Sequence, residues 1–281
     1  MRKILINGQC LIPEMILGSF QVKSYDLLKK MLVCSLKNGV YGFDTSPSYG
    51  NQSLFGKALH ESMVENSIER EQIFITGKVD GWQMCRADGN VEKYVEEQMK
   101  ELNIDYFDLL LVHWPFKKYL LSTWYNMEQM YKKGKVHSIG LCNINPRVYM
   151  EFIANEVSIK PQVIQNEISP LRVAEDEVSF FQKEGVLIEA YSPLARMLPA
   201  IKEDKKLESI ALKYNKSIAQ IILRWHIQRN IIPVFTSTKE ERIVDNINVS
   251  NFELLPSEMN IICEMNQNYK VFPESYGCPG F

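Results

Sequence analysis

Phe107-Asp108-Leu109-Leu110-Leu111-Val112-His113 is the most continuous apolar run in the chain. Such a run reads as a strand buried on both faces, the habit of parallel sheets covered by helices. Working back from it, Val91–Leu102 puts Val91, Tyr94, Val95, Gln98 and Met99 on one helical face, and Gln72-Ile73-Phe74-Ile75-Thr76 reads as a strand. Before these come a helix from Asn51 to Val64, a strand over 40–43, an amphipathic helix over Tyr25–Lys37, a strand over Met15–Phe20, and a hairpin over Ile4–Pro13 that turns at Asn7-Gly8. Working forward, a helix over Leu121–Lys132 ends at Gly134. Strands are expected at Ser138–Leu141, Val163–Gln165, Val186–Tyr191 and Ile231–Phe235, with helices at 146–154, 175–184, Leu207–Tyr214, Ile218–Gln228, Lys239–Asn248 and Ser257–Asn266.

Eight strand-then-helix units in 281 residues predict a closed eight-stranded parallel barrel of the α/β class, (β/α)8, rather than an open sheet. No Gly-x-Gly-x-x-Gly follows any strand, which argues against the usual dinucleotide-binding open sheet. With no linker-like shift in composition, residues 1–281 read as a single domain, its bottom closed by the N-terminal hairpin. The content of 46% hydrophobic and 23% charged residues is ordinary for a globular chain with a sizeable core. A formal charge of -2 supplies no broad basic field, so neither nucleic acid nor an anionic membrane is the expected partner. The N-terminal apolar run stops after three residues and no stretch reaches membrane-spanning length, so the expected location is the cytoplasm. Six scattered cysteines lack a Cys-x-x-Cys pair or a neighbouring His at ligand spacing, which suits free thiols and no metal.

In a barrel of this kind the C-terminal strand ends converge on one mouth. The second strand leads there through Phe43-Asp44-Thr45-Ser46-Pro47-Ser48-Tyr49-Gly50-Asn51, bringing Asp44 and Tyr49; the third brings Lys78 and the fourth His113. Singly, each has an ordinary reading: a turn carboxylate, a half-buried aromatic, a solvated lysine, a core histidine. Four ionisable groups from three consecutive strands at one mouth favour chemistry.

The same residues carry a resemblance. Phe43-Asp44-Thr45 with Tyr49-Gly50-Asn51, Thr76-Gly77-Lys78, Asp108 through Pro115, Ile139-Gly140-Leu141-Cys142-Asn143, Gln165-Asn166-Glu167, Ala190-Tyr191-Ser192-Pro193-Leu194, and Ser237 with Arg242-Ile243-Val244-Asp245-Asn246 resemble the aldo-keto reductases in order and spacing along nearly the whole chain. The resemblance is to short-loop members of bacterial type. It implies reduction of an aldehyde or ketone by hydride from NAD(P)H, with Asp44, Tyr49, Lys78 and His113 as the catalytic tetrad. Tyrosine, with a pKa of about 10, is a reluctant acid at neutral pH, and an adjacent ammonium lowers that pKa. Lys78, held by Asp44, is therefore expected to make Tyr49 the acid in reduction and the base in alcohol oxidation, while His113 hydrogen-bonds the carbonyl oxygen.

The resemblance also implies a nicotinamide stacked on Tyr191, its carboxamide held by Asn143 and Gln165, with Ser19 in contact near the first strand. Ser192 and Leu194 would line the pyrophosphate, and Thr236, Ser237, Arg242, Asp245 and Asn246 the adenosine end. Two positions depart from the family's pattern: Cys142 stands where a serine is usual, and Thr236 where a lysine is common. NADP(H) is still expected to be favoured over NAD(H), by a reduced margin. Phe20, Trp82, Trp114 and Phe116 are the candidate walls for a small-molecule carbonyl substrate, and the aromatic stretch 272–281 is a candidate cover for the barrel. A monomer or weak homo-oligomer is expected. The competing reading is a catalytically weak nicotinamide-binding regulatory or redox-sensing protein on the same barrel; a barrel hydrolase lacks its paired carboxylates or metal ligands.

Overall fold

The computed structural model describes residues 2–8 and 10–273. An antiparallel hairpin of β1 (Lys3–Ile6) and β2 (Cys10–Pro13) precedes eight parallel strands. These are β3 (Ile16–Gly18), β4 (Gly42–Asp44), β5 (Phe74–Val79), β6 (Leu109–Val112), β7 (Ile139–Cys142), β8 (Val163–Glu167), β9 (Leu187–Tyr191) and β10 (Ile231–Phe235). They close into a barrel in chain order, β10 pairing with β3. At least one helix follows each strand, so the strands are covered outside and filled inside, and nearly every strand residue is buried. The barrel and its hairpin are those expected from the alternation of patterns.

Two apolar layers result. The outer one lies between strands and helices and includes Phe43, Phe55, Trp124, Tyr149 and Trp225. The inner one fills the N-terminal end of the barrel with Ile16, Phe74, Leu109, Leu111, Val163 and Ile232, and the hairpin residues Ile6 and Ile12 belong to it, closing the bottom. With that end plugged, polar groups inside the barrel are confined toward the opposite end. Gly77 shows how tightly the layers meet: a Cβ there would lie 2.5 Å from the Phe107 ring.

Three elements differ from expectation in ways that matter at the mouth. β5 runs through Gly77 to Val79 instead of ending at Thr76, because Val79 still pairs with Val112, so Lys78 lies inside the strand and fully buried. The helix after β6 starts at Lys117, a turn earlier than its apolar pattern indicates, which shortens the loop after His113 further. A short helix, Gly81–Arg86, follows β5 directly, its entry fixed by a hydrogen bond from the Asp80 N–H to Gln83 Oε1 at 2.9 Å.

Candidate active site

Asp44 ends β4, Lys78 lies in the neighbouring β5, and Tyr49 reaches back from a short 3-10 turn, Pro47–Tyr49. Lys78 Nζ donates to both Asp44 carboxylate oxygens at 2.5 Å and to the Tyr49 hydroxyl at 2.9 Å, and that hydroxyl donates to Asp44 Oδ1 at 3.2 Å. Burial is the largest single influence and disfavours the ammonium, but its neighbours together, Asp44 foremost, hold the Lys78 pKa above the usual lysine range.

The phenol behaves differently from the expectation. Burial raises the Tyr49 pKa, Asp44 raises it further, and Lys78 opposes without reversing the direction. The reason is local neutrality: with Asp44 in contact with Lys78, the phenol faces an ion pair rather than a lone cation. Tyr49 therefore keeps its proton at neutral pH.

His113 follows β6 and is held from two sides. Its N–H donates to Val79 O at 2.9 Å, and its Nδ1 lies 2.5 Å from Asp80 Oδ1. Its ring stands edge-on to Tyr49, centroids 5.9 Å apart, with Trp114 roughly parallel at 6.4 Å. Burial raises the Asp80 pKa, but hydrogen bonds from His113 and Ser48 outweigh it, and the net direction is downward.

On the far side of the mouth, Asn143 stands in the left-handed backbone region just after β7, at φ 56°. Its amide donates to His113 O at 2.9 Å and accepts from the Tyr191 hydroxyl at 2.7 Å. Gln165 on β8 donates from Nε2 to Asp44 Oδ2 at 2.9 Å and to Glu189 Oε2 at 2.7 Å, and its Oε1 accepts a weak bond from the Cys142 thiol at 3.8 Å. Asn143, Gln165 and Tyr191 thus join Asp44, Tyr49, Lys78 and His113 in one network. Ser19 is buried, its hydroxyl donating to Asp44 O at 3.0 Å, while Ser192 and Leu194 are half-buried in the loop after β9.

Beyond β10, Thr236 and Arg242 are exposed and Ser237 half-buried. Arg242, in the first turn of helix Glu240–Ile247, has no hydrogen bond or ion pair among the described residues. Asn246 is buried, and Asp245 lines a groove toward Lys29, Lys30 and Lys37. Gly18 keeps the chain close to Thr236, since a Cβ would come within 2.9 Å of its Oγ1. Amides beside an aromatic hydroxyl at one end and an unpaired guanidinium with hydroxyls at the other suit a nicotinamide dinucleotide.

Of the expected walls, Phe20 packs against Tyr49 at 5.0 Å between centroids, and Trp114 lies beside His113. Phe116 packs back on Gly81. Trp82 lies outside this group, in a lateral groove with Tyr94 and under Arg86. The C-terminal segment does reach the mouth: the Phe272 ring meets Phe20 at 5.8 Å and Tyr191 at 6.0 Å, and the Val271 and Phe272 N–H groups bind the Glu167 carboxylate at 2.6 and 2.9 Å. Residues 274–281 of that segment lie outside the described residues.

A family model described as the aldo/keto reductase family matches residues 14–267. The chain belongs to the aldo/keto reductases. Among curated relatives it is 36% identical over 275 residues to the uncharacterized oxidoreductase YtbE of Bacillus subtilis, covering 97% of this chain and 95% of that one. It is 33% identical over 262 residues to the glyoxal reductase of Bacillus subtilis, covering 93% and 92%. Among solved structures, the Bombyx mori aldo-keto reductase in complex with NADP superposes with a TM-score of 0.90 at 28% identity, covering 98% of this chain and 95% of that one. The aldo-keto reductase MGS-M4, from a Medee basin deep-sea metagenome library, gives 0.88 at 32% identity, covering 96% and 97%.

Sequence reasoning gave no role to three carboxylates in this aldo/keto reductase: Asp80, Glu167 and Glu189. Glu189 is fully buried in the barrel, with Oε2 on Gln165 and Oε1 without a hydrogen-bond partner among the described residues. Burial, assisted by Asp44, pushes its pKa up to about 7. Elsewhere, His226 is fully buried between the carbonyls of Ile222 and Ile168, and burial pushes its pKa down to about 4.

These two shifts act oppositely on stability. His226, depressed on folding, contributes above its unfolded pKa of 6.5, and that contribution is lost as pH falls toward 4. Glu189, raised on folding, contributes below its unfolded pKa of 4.5, and that contribution is lost as pH rises toward 7. Each change is worth about 3 kcal/mol across its window, so the two largely cancel where the windows overlap. Glu189→Gln removes one arm. Urea unfolding at pH 5 and pH 7 is expected to show the variant gaining about 2 kcal/mol more than wild type between those pH values; equal gains would contradict the assignment.

Proposed function

We propose that this protein is a nicotinamide-dependent oxidoreductase that reduces aldehydes or ketones to alcohols, with Tyr49 delivering the proton. The observation that carries the reading is the contact triangle of Asp44, Lys78 and Tyr49 at a mouth shared with His113 and the Asn143 and Gln165 amides. A reduced nicotinamide held by Tyr191 and the Asn143 and Gln165 amides would supply the hydride to the carbonyl carbon. The carbonyl oxygen then gains charge and takes the Tyr49 proton, and Lys78, already 2.9 Å from that hydroxyl, stabilises the phenolate left behind. Asp44 holds Lys78 in position, and His113 donates a hydrogen bond that fixes the carbonyl oxygen. Phe20, Trp114 and Phe272 form apolar walls that limit water. Run backward, the tyrosinate is the base for alcohol oxidation.

The test is cofactor oxidation across aldehydes, keto acids, sugars, quinones and steroids, beginning with short dicarbonyls because one relative is named glyoxal reductase. Saturable turnover with a member of the panel is expected. Tight cofactor binding without turnover of any member would favour the regulatory, redox-sensing role instead.

NADPH is the proposed cofactor over NADH. The guanidinium of Arg242 can take the 2′-phosphate through two parallel hydrogen bonds, the Thr236 hydroxyl can add a third, and exposed Lys239 lies close in sequence. An exposed cation at position 236 would add roughly 1 kcal/mol, a several-fold gain in affinity. Thr236→Lys is therefore expected to widen the ratio of NADH to NADPH dissociation constants several-fold. Fluorescence titration of both cofactors checks this, and tighter wild-type binding of NADH would refute the preference itself.

A further inference from the structure

Asp80 makes more contacts than a turn residue needs. It is 3% exposed. Its Oδ1 takes His113 Nδ1 at 2.5 Å, Ser48 Oγ at 3.0 Å and Ser46 Oγ at 3.2 Å. Its Oδ2 takes the Ser48 N–H at 2.8 Å and Ser46 Oγ at 3.0 Å. Every partner is a donor or can act as one, and the downward direction of its pKa agrees with an ionised carboxylate. An ionised carboxylate only accepts, so Nδ1 must carry a proton. A neutral His113 then has its lone pair on Nε2, and only the imidazolium has a proton there.

A carbonyl oxygen also has only lone pairs to offer. We propose that Asp80 is a positioning residue that fixes His113 as the Nδ1–H tautomer, so that His113 can donate to the substrate carbonyl only as the imidazolium. The ring thereby becomes a charge-assisted donor to the carbonyl when protonated and, once neutral, donates only to Asp80. The titratable groups facing this pair are Tyr49, edge-on to the ring, Lys78 and Asp44 behind its hydroxyl, and the Cys142 thiol across the barrel. Tyr49, Lys78 and Cys142 all have pKa values shifted upward, so all three keep their protons through the neutral range. The inference rests on the reading that His113 donates to a carbonyl.

Asp80→Asn separates the possibilities. The Ser48 N–H needs an acceptor, so the amide oxygen stays on Ser48 and the amide nitrogen faces His113 Nδ1. Nδ1 then accepts, and the neutral ring carries its proton on Nε2. For an uncharged aldehyde, wild-type kcat/KM is expected to fall about tenfold per pH unit above the imidazole titration, and that fall should be absent in Asp80→Asn. Nitrogen NMR of labelled, cofactor-free protein, with His113→Gln to assign the signals, reads the tautomer without any turnover. Wild type is expected to be Nδ1–H at high pH and Asp80→Asn to be Nε2–H. A wild-type Nε2–H tautomer, or the same pH profile in both proteins, would overturn the proposal. An Nδ1–H signal in a wild type that reduces no carbonyl would instead overturn the functional reading beneath it. Wild type alone supplies the tautomer and the pH profile even where the variant fails to fold.

Discussion

Tyr49→Phe is expected to cut carbonyl reduction by about a hundred- to ten-thousand-fold while leaving the dissociation constant for NADPH nearly unchanged. The hydroxyl is the only group removed. Phenylalanine keeps the ring that packs against Phe20 and stands edge-on to His113. Lys78 loses one acceptor but keeps both oxygens of Asp44, so the buried ion pair survives and the fold should be undisturbed. The residues proposed to hold the cofactor come from other strands, which is why binding and turnover should separate. Steady-state rates with cofactor titration check this; wild-type rates in the variant would remove Tyr49 from the role of acid.

Lys78→Met should have the largest effect on stability as well as abolishing activity. Methionine fills much of the lysine's volume but leaves Asp44 2% exposed with no cation, its side chain held among the described residues only by the Tyr49 hydroxyl and the Gln165 amide. Breaking a buried pair on one side costs about 3–5 kcal/mol, because the remaining charge is uncompensated. Protonation relieves an uncompensated buried carboxylate, so the penalty grows as pH rises. Urea unfolding should therefore show a greater loss at pH 8 than at pH 5. Adding Asp44→Asn should restore much of the stability and none of the activity. Equal losses at both pH values would mean that Asp44 is not ionised beside Lys78.

The barrel was legible because its signals are periodic: each strand is a short apolar run, and each is followed by a helical pattern of ordinary length. The convergence of Asp44, Tyr49, Lys78 and His113 was legible because β-strand ends are few, and three consecutive ones lead to these residues. Asp80 was not, because its partners Ser46 and His113 are 34 and 33 residues away. The pattern of Asp80 and Gln83 three residues apart was the available signal for the short helix that places it. Glu189 hid for a different reason. In Leu187-Ile188-Glu189-Ala190-Tyr191 it occupies a position that a two-sided buried strand normally gives to an apolar side chain, and no local pattern shows which polar groups it will meet inside. The direction of the Tyr49 pKa depended on how far Asp44 neutralises Lys78, which is a matter of contact geometry rather than of residue identity.

The most direct measurement is the fate of a deuterium placed on the reacting carbon of the reduced nicotinamide, followed into the product by mass spectrometry. With a turned-over aldehyde, the wild-type alcohol is expected to carry one deuterium on the former carbonyl carbon, and Tyr49→Phe should yield almost none of that alcohol. An unlabelled alcohol, or equal labelled product from both proteins, would contradict hydride transfer with Tyr49 as the proton donor.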